Sequence, residues 1–154
     1  MNGKSAQTFR AGVGAVILNK KGKVLAFERR DIPGAWQLPQ GGLDENESPL
    51  EAVKREIHEE TGISIKNLEL VSTESRLLAY ELPPEARSKK TGRGQVQYWF
   101  LFRFTGQEEI ITLGDKKEFN AWKWMSMKKL AEKVISFKQP VYQALAKDFK
   151  SYLK

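Results

Sequence analysis

The chain has 154 residues, 40% of them hydrophobic and 29% charged, a balance that supports one ordinary buried core and argues against disorder and membrane insertion. No cysteine is present, which removes disulfides, thiolate zinc sites and cysteine nucleophiles and fits a reducing cytoplasm. His58 is the single histidine, so catalysis here must lean on carboxylates, hydroxyls, basic groups or an oxygen-bound metal. The net charge of +7 is unevenly spread: residues 44 to 60 hold seven acids against Lys54 and Arg55, and the rest of the chain is strongly basic. An acidic spot on a basic body suits a metal-assisted enzyme acting on phosphates, and a solvated charged helix is the plainer alternative.

Lys4 and Arg10 precede the apolar stretch Ala11 to Leu18, yet that stretch is short and no small-residue cleavage pattern follows it. It reads as a strand entering a hairpin through a Lys-Gly turn, with Val24 to Arg30 as its partner. Gly34 through Gly42 is a bending loop or short-strand segment whose backbone can approach a ligand. Ser48-Pro49-Leu50-Glu51 then supplies an N-cap, a first-turn proline and the returning glutamate of a capping box, and Gly62 stops the helix so begun. Leu50, Val53 and Ile57 form its core-facing stripe.

Leu68 to Thr73, Leu77 to Leu82 and Gln95 to Phe104 read as strands, the last two separated by the basic, turn-rich loop Pro83 to Gly94. A turn near Gly114-Asp115 leads to a further strand, Ala121 to Met125. Met127 to Val134 and Gln139 to Leu153 read as a short and a long helix. Strands, helix, strands and helices in this order predict a mixed α/β or α+β sandwich built on a sheet. Trp36, Trp99, Trp122 and Trp124 are expected mainly in the core.

Glu56, Glu59 and Glu60 lie at i, i+3 and i+4 and share one helix face, where they repel each other. A divalent cation turns that repulsion into binding, and oxygen-only ligands suit Mg²⁺, Mn²⁺ or Ca²⁺ better than Zn²⁺. Glu47 and Arg55 are placed to pair, either as a surface ion pair or so that Arg55 offsets the local negative charge and orients the glutamates.

Gly41, Glu47, Arg55-Glu56-Ile57, Glu59-Glu60 and Gly62-Ile63 stand in the spacing Gly-x5-Glu-x7-Arg-Glu-U-x-Glu-Glu-x-Gly-U, with U aliphatic. This resembles the Nudix box, here spanning residues 41–63 of what is expected to be a single domain over 1–154. The resemblance implies an α/β/α sandwich with a mixed central sheet, a divalent cation (Mg²⁺, with Mn²⁺ as substitute) held by Glu56, Glu59, Glu60 and the Gly41 carbonyl, and hydrolysis of a diphosphate linkage. Outside the box, Phe9-Arg10, Arg29-Arg30, Trp36 to Gly42, Gln95 with Gln97 to Phe100, Glu118-Phe119 and Ser136-Phe137-Lys138 resemble the bacterial RNA pyrophosphohydrolases and related dinucleoside polyphosphate hydrolases of that family. Ala11-Gly12 and the loop from Arg87 to Gly94 depart from that pattern.

The resemblance implies removal of pyrophosphate from the 5′-triphosphate end of RNA, with dinucleoside polyphosphates or (d)NTPs as alternative substrates and a non-catalytic nucleotide- or RNA-binding module as a further one. It makes Glu59 or Glu118 the proton acceptor, gives Glu118 a place over the metals, and assigns Arg10, Arg30, Gln40, Phe137 and Lys138 to substrate. Dull alternatives stand beside these: surface cations for Arg10, Arg30 and Lys138, a buried aromatic for Phe137, a loop-shaping role for Gln40. His58 is expected to be a bystander. A monomer and a homodimer are equally compatible with the sequence.

Overall fold

A computed structural model describes residues 7–71 and 76–154. Strand β1 (Phe9–Leu18) is the spine of one mixed sheet, with β2 (Val24–Arg29), β3 (Trp36–Gln37), β4 (Gln40–Gly42), β5 (Leu68–Leu70), β6 (Arg76–Glu81), β7 (Gly94–Phe104) and β8 (Phe119–Met125) around it. The helices are α1 (Pro49–Thr61), α2 (Met127–Lys133) and α3 (Gln139–Asp148).

Period-two alternation in the strands sorts the core into two halves. Val13, Ala15 and Ile17 of β1 and Phe100 and Phe102 of β7 point to one face, where Ala52, Val53 and Ile57 of α1 cover them. Val16, Leu18, Trp99 and Leu101 point to the other, under Leu130 of α2 and Val141, Tyr142 and Leu145 of α3. The result is the sandwich on a sheet expected from the order of elements, in the α/β/α form that the resemblance implied. Trp36 and Trp99 are buried as expected, and Trp122 and Trp124 pack at the edge of the α1-side core.

The strand pairing differs from the hairpin expectation. Turn residues Asn19 to Lys23 do connect β1 to β2, but the two pair only where Leu18 meets Val24. The body of β1 runs parallel to β7, from Phe9 opposite Gly94 to Leu18 opposite Arg103, and β2 pairs mainly with β8. Sheet twist lets β2 peel away, and this opens room for β4 to pair with β1 at Gly12, Val13 and Gly14. The strand expected over Leu68 to Thr73 is seen from Leu68 to Leu70, and residues 72 and 73 lie outside the described part. The expected helix to Leu153 ends at Asp148: Phe149 leaves helical geometry at φ −103°, ψ 17°, and a 3₁₀ turn (Lys150–Tyr152) continues the apolar spacing that imitates a longer helix.

Helix α1 is capped as its sequence predicts. The Ser48 hydroxyl accepts from Glu51 N, the Glu51 side chain accepts from Ser48 N, and Gly62 closes the C-terminus in the left-handed region at φ 76°.

Candidate active site

The loop between β3 and β4 presents Gly41 to α1 because it is tied from both sides. Ala15 N donates to Pro39 O at 2.9 Å, and Leu38 N donates to the buried hydroxyl of Tyr142 at 2.8 Å, linking the loop to α3. A Cβ at Gly41 would overlap the Glu56 carboxyl group, so any larger residue there would push that carboxyl aside. The Gly41 backbone and the Glu56 side chain are thereby brought together, as the sequence reading proposed for a shared cation.

Arg55 organises the helix face. Its Nε and Nη2 grip Glu47 at 2.8 and 2.9 Å, a two-pronged pair that holds the Glu47 carboxyl below the usual carboxylate range. Its Nη1 reaches Glu56 at 2.8 Å and Glu59 at 3.5 Å, and its Nη2 donates to Gly42 O at 3.0 Å. Arg55 thus ties the loop to the helix, and its own pKa is raised by the carboxylates it serves, Glu47 first. The Glu47–Arg55 pairing expected from spacing is present.

The glutamates differ in surroundings. Glu60 is buried at 6% exposure, receives the backbone N–H of Gln40 at 3.0 Å, and has no arginine or lysine ion pair among the described residues. Burial pushes its carboxyl well above the ordinary carboxylate range, and the charges of Glu56 and Glu118 push it further. Glu56, at 12% side-chain exposure, is also raised by burial, against the pull of Arg55. Glu59 is the open one, at 36% side-chain exposure, with Lys116 Nζ at 3.5 Å. Glu118 shares a crevice with Glu59 and Glu60, so the structure brings this acid, from the loop before β8, to the α1 carboxylates. Among the described residues, no three Asp, Glu or His side chains meet at one point. The donors are instead arrayed along one wall, all of them oxygen, with a buried carboxylate that lacks a cationic partner. A hard divalent cation fits that set.

Across from this wall lies a cleft of about 520 Å³ lined by Arg29, Arg30, Gln37, Gln40, Glu118 and Lys138, among others. Lys138 is buried at 6% exposure, with its ammonium 5.6 Å from the Tyr80 ring centre. Burial, with a smaller push from Arg29, lowers its pKa to about 8. Arg29 is held by Asp31 at 2.7 and 3.0 Å, and Arg30 N donates to Glu118 O at 2.8 Å, which ties the basic wall to the acidic loop. Gln40 also accepts from Gln97 at 3.4 Å.

Of the expected substrate residues, Arg30, Gln40 and Lys138 therefore come together in one cleft. Phe137 does not line it; its ring packs 5.7 Å from Tyr80 and against the α3-side core. Arg10 stands on the exposed start of β1 and donates to Lys90 O. His58 is exposed on α1. The sequence reading did not single out Asp31, Gln37, Tyr80 or Lys116. Asp31 follows directly on the Arg29-Arg30 pair and Gln37 lies within the Trp36 to Gly42 segment that carried the resemblance, so these two had a local signal that Tyr80 and Lys116 lacked.

A mixed sheet between helices, with a carboxylate-lined helix beside a basic cleft, defines an α/β/α sandwich whose site pairs candidate metal ligands with candidate phosphate contacts. The NUDIX domain family matches residues 8–145. The chain is 42% identical to Nudix hydrolase 26, chloroplastic, of Arabidopsis thaliana, over 95% of this chain and 71% of that protein. It is 40% identical to an RNA pyrophosphohydrolase of Cereibacter sphaeroides, over 94% of this chain and 93% of the other. Among solved structures, the E. coli dihydroneopterin triphosphate pyrophosphohydrolase shares the fold at a TM-score of 0.70 and 24% identity, covering 89% of this chain and 97% of that one. The chain belongs to the Nudix family and is a Nudix hydrolase, a group that generally needs divalent metal ions. Among the described residues, no helix is long and apolar enough to cross a membrane.

Proposed function

We propose that the protein is a Mg²⁺-dependent pyrophosphohydrolase that acts on 5′-triphosphorylated RNA, releasing pyrophosphate and leaving a 5′-monophosphate. The observation that carries the reading is the pairing of the α1 glutamates with a cleft whose deep cation, Lys138, is buried among Tyr80, Gln40 and Arg29. Likeness at about 40% identity over nearly the whole length to proteins named RNA pyrophosphohydrolase supports the choice of RNA. Such an enzyme works where messenger RNA is degraded, in the cytoplasm, and one domain, as a monomer or homodimer, suffices for it.

Glu56, Glu59, Glu60 and the Gly41 carbonyl hold the cation, with Glu118 closing from the opposite loop. When bound, Mg²⁺ supplies charge neutralisation at the phosphate oxygens. Arg55 holds Glu56 and Glu59 in place through its bonds to both, and its charge opposes the rise that burial gives the Glu56 carboxyl. Glu59, more open than Glu56 and Glu60, takes the proton of the attacking water. Lys138, Arg30 and Gln40 receive the phosphate end of the substrate, and Phe137 backs the wall against which the first bases rest.

The test is product analysis of a triphosphorylated transcript with Mg²⁺. Monophosphate ends and free pyrophosphate in equal amounts are expected. Vigorous hydrolysis of dinucleoside polyphosphates or (d)NTPs with untouched transcript would replace the RNA reading by the small-nucleotide one, and binding without turnover of either would make the protein a binding module.

A further inference from the structure

The basic loop between β6 and β7 is the feature of the sequence that the cleft leaves unused. It carries Arg87, Lys89, Lys90 and Arg93, and Arg10 reaches it from β1 by donating to Lys90 O. The loop is firmly built. Gly92 N donates to Ser88 O at 2.7 Å, Thr91 Oγ1 to Ala86 O at 3.0 Å, Arg87 Nε to Leu82 O at 2.8 Å, and Arg93 N to Thr8 O at 2.8 Å. Among the described residues Arg93 is its one cation in an ion pair, with Glu81 at 2.5 Å. Lys89 and Lys90 stand exposed with no acidic partner among those residues, on a tip that folding alone would not need to charge.

A polar path connects this loop to the cleft. Gln97 donates to Gln40, a cleft residue, at 3.4 Å and to Gln95 at 3.3 Å, so three amides form a ladder along one face of the sheet. The ladder crosses β1 where Gly12 has no side chain; a Cβ there would press on Gly41 O and Gln95 Oε1. Gln95 stands opposite Arg10, and Arg10 lies two residues from Gly12, about 7 Å along the strand. Gln97 is buried at 1% exposure and serves to fix its neighbours, which leaves the half-buried Gln95 amide and then the exposed cations to meet a single strand leaving the cleft, the amide at sugar or base edges and the lysines at phosphates without reading sequence.

We propose that Gln95, Arg10 and the tip residues Lys89 and Lys90, with the buried Gln97 fixing Gln95 from beneath, form an exit track that grips the RNA backbone downstream of the 5′ end, so that the enzyme favours a polymer over a small polyphosphate ligand. This rests on the RNA reading above. A nucleoside polyphosphate ends inside the cleft; only a chain with further phosphates reaches the loop, and its hold there weakens with salt.

The experiment compares the parent with Lys89→Glu/Lys90→Glu on a 5′-triphosphorylated RNA of about 20 nucleotides and on a 5′-triphosphorylated dinucleotide, across a salt series. The ratio of kcat/KM for the long RNA to that for the dinucleotide falls roughly tenfold in the variant, and the salt slope on the long RNA becomes shallower by about 1 to 2. A variant with the parent's ratio and slope would overturn the track while leaving the RNA reading intact. A parent that hydrolyses the small substrates but converts neither triphosphorylated RNA would remove the RNA reading and the track together.

Discussion

The two walls of the cleft are assembled in opposite ways. The acidic wall comes from one stretch, Gly41 to Gly62, in which helix spacing sets Glu56, Glu59 and Glu60 on one face and Arg55 braces the first two within the same turns. The basic wall is gathered from three places in the chain: Arg29 and Arg30 at the end of β2, the loop before β8, and Lys138 at the start of α3. Two of its cations are placed by partners from elsewhere in the chain, Arg30 through its backbone N–H on Glu118 O and Lys138 by the Tyr80 ring, while Arg29 is held locally by Asp31. The difference teaches that the chemistry sits on a local, rigid device, and that substrate choice sits on a surface which exists only once the sheet has formed. Changes in the acidic wall are therefore expected to stop turnover, and changes in the basic wall to alter affinity.

The largest effect is expected from Glu59→Gln, which removes the proposed proton acceptor without changing volume. Its kcat should fall by about 10³-fold, with KM nearly unchanged and thermal midpoint close to the parent's, all readable from one steady-state series and one melting curve. A kcat loss under fivefold would move the proton acceptor to Glu118. Gly41→Ala comes next, because its methyl group would displace the Glu56 carboxyl and with it the Arg55 bond. A kcat/KM reduction of roughly 10²-fold is expected, and undiminished activity would break the link between the loop and the helix.

Lys138→Met sharpens the other side of the comparison with the smallest effect. The ammonium, held near pKa 8 by burial and the Arg29 charge, is present below that pH and lost above it. The parent's KM for triphosphorylated RNA should therefore rise as pH passes through about 8. The variant should show KM raised about tenfold at pH 7 and flat beyond it, with kcat little changed. The stability sign is the reverse of a gained ion pair: the cost of burying the charge is fully present below about 8 and is relieved as pH rises toward the unfolded value of 10.5. At pH 7 the methionine variant should be no less stable than the parent, checked by its denaturant midpoint.

The same contrast explains how much could be read before the structure. The caps of α1, the Glu47–Arg55 pair and the carboxylate face were legible because each depends on contacts within a few turns of one helix. Strands β1 and β7 were legible as strands from their apolar and aromatic runs. Their parallel pairing was not, since residues from opposite halves of the chain must meet and a Lys-Gly turn after Leu18 argues only for the neighbouring strand. Lys138 and Gln40 entered through resemblance, whereas the burial that tunes Lys138 and the Tyr80 ring beside it depend on how β6 meets the start of α3. The end of α3 was misplaced because Phe149 and Tyr152 keep an apolar spacing after the backbone has left the helix.

The central claim is that the α1 carboxylates hold a divalent cation, and calorimetric titration with Mn²⁺ in the absence of nucleotide tests it most directly. The parent should bind Mn²⁺ saturably and gain thermal stability from it, while Glu56→Gln/Glu60→Gln, folded and no less stable without metal because a buried carboxylate has been neutralised, should show neither heat nor stabilisation. Equal binding and equal stabilisation in the two proteins would place the cation elsewhere and contradict the account.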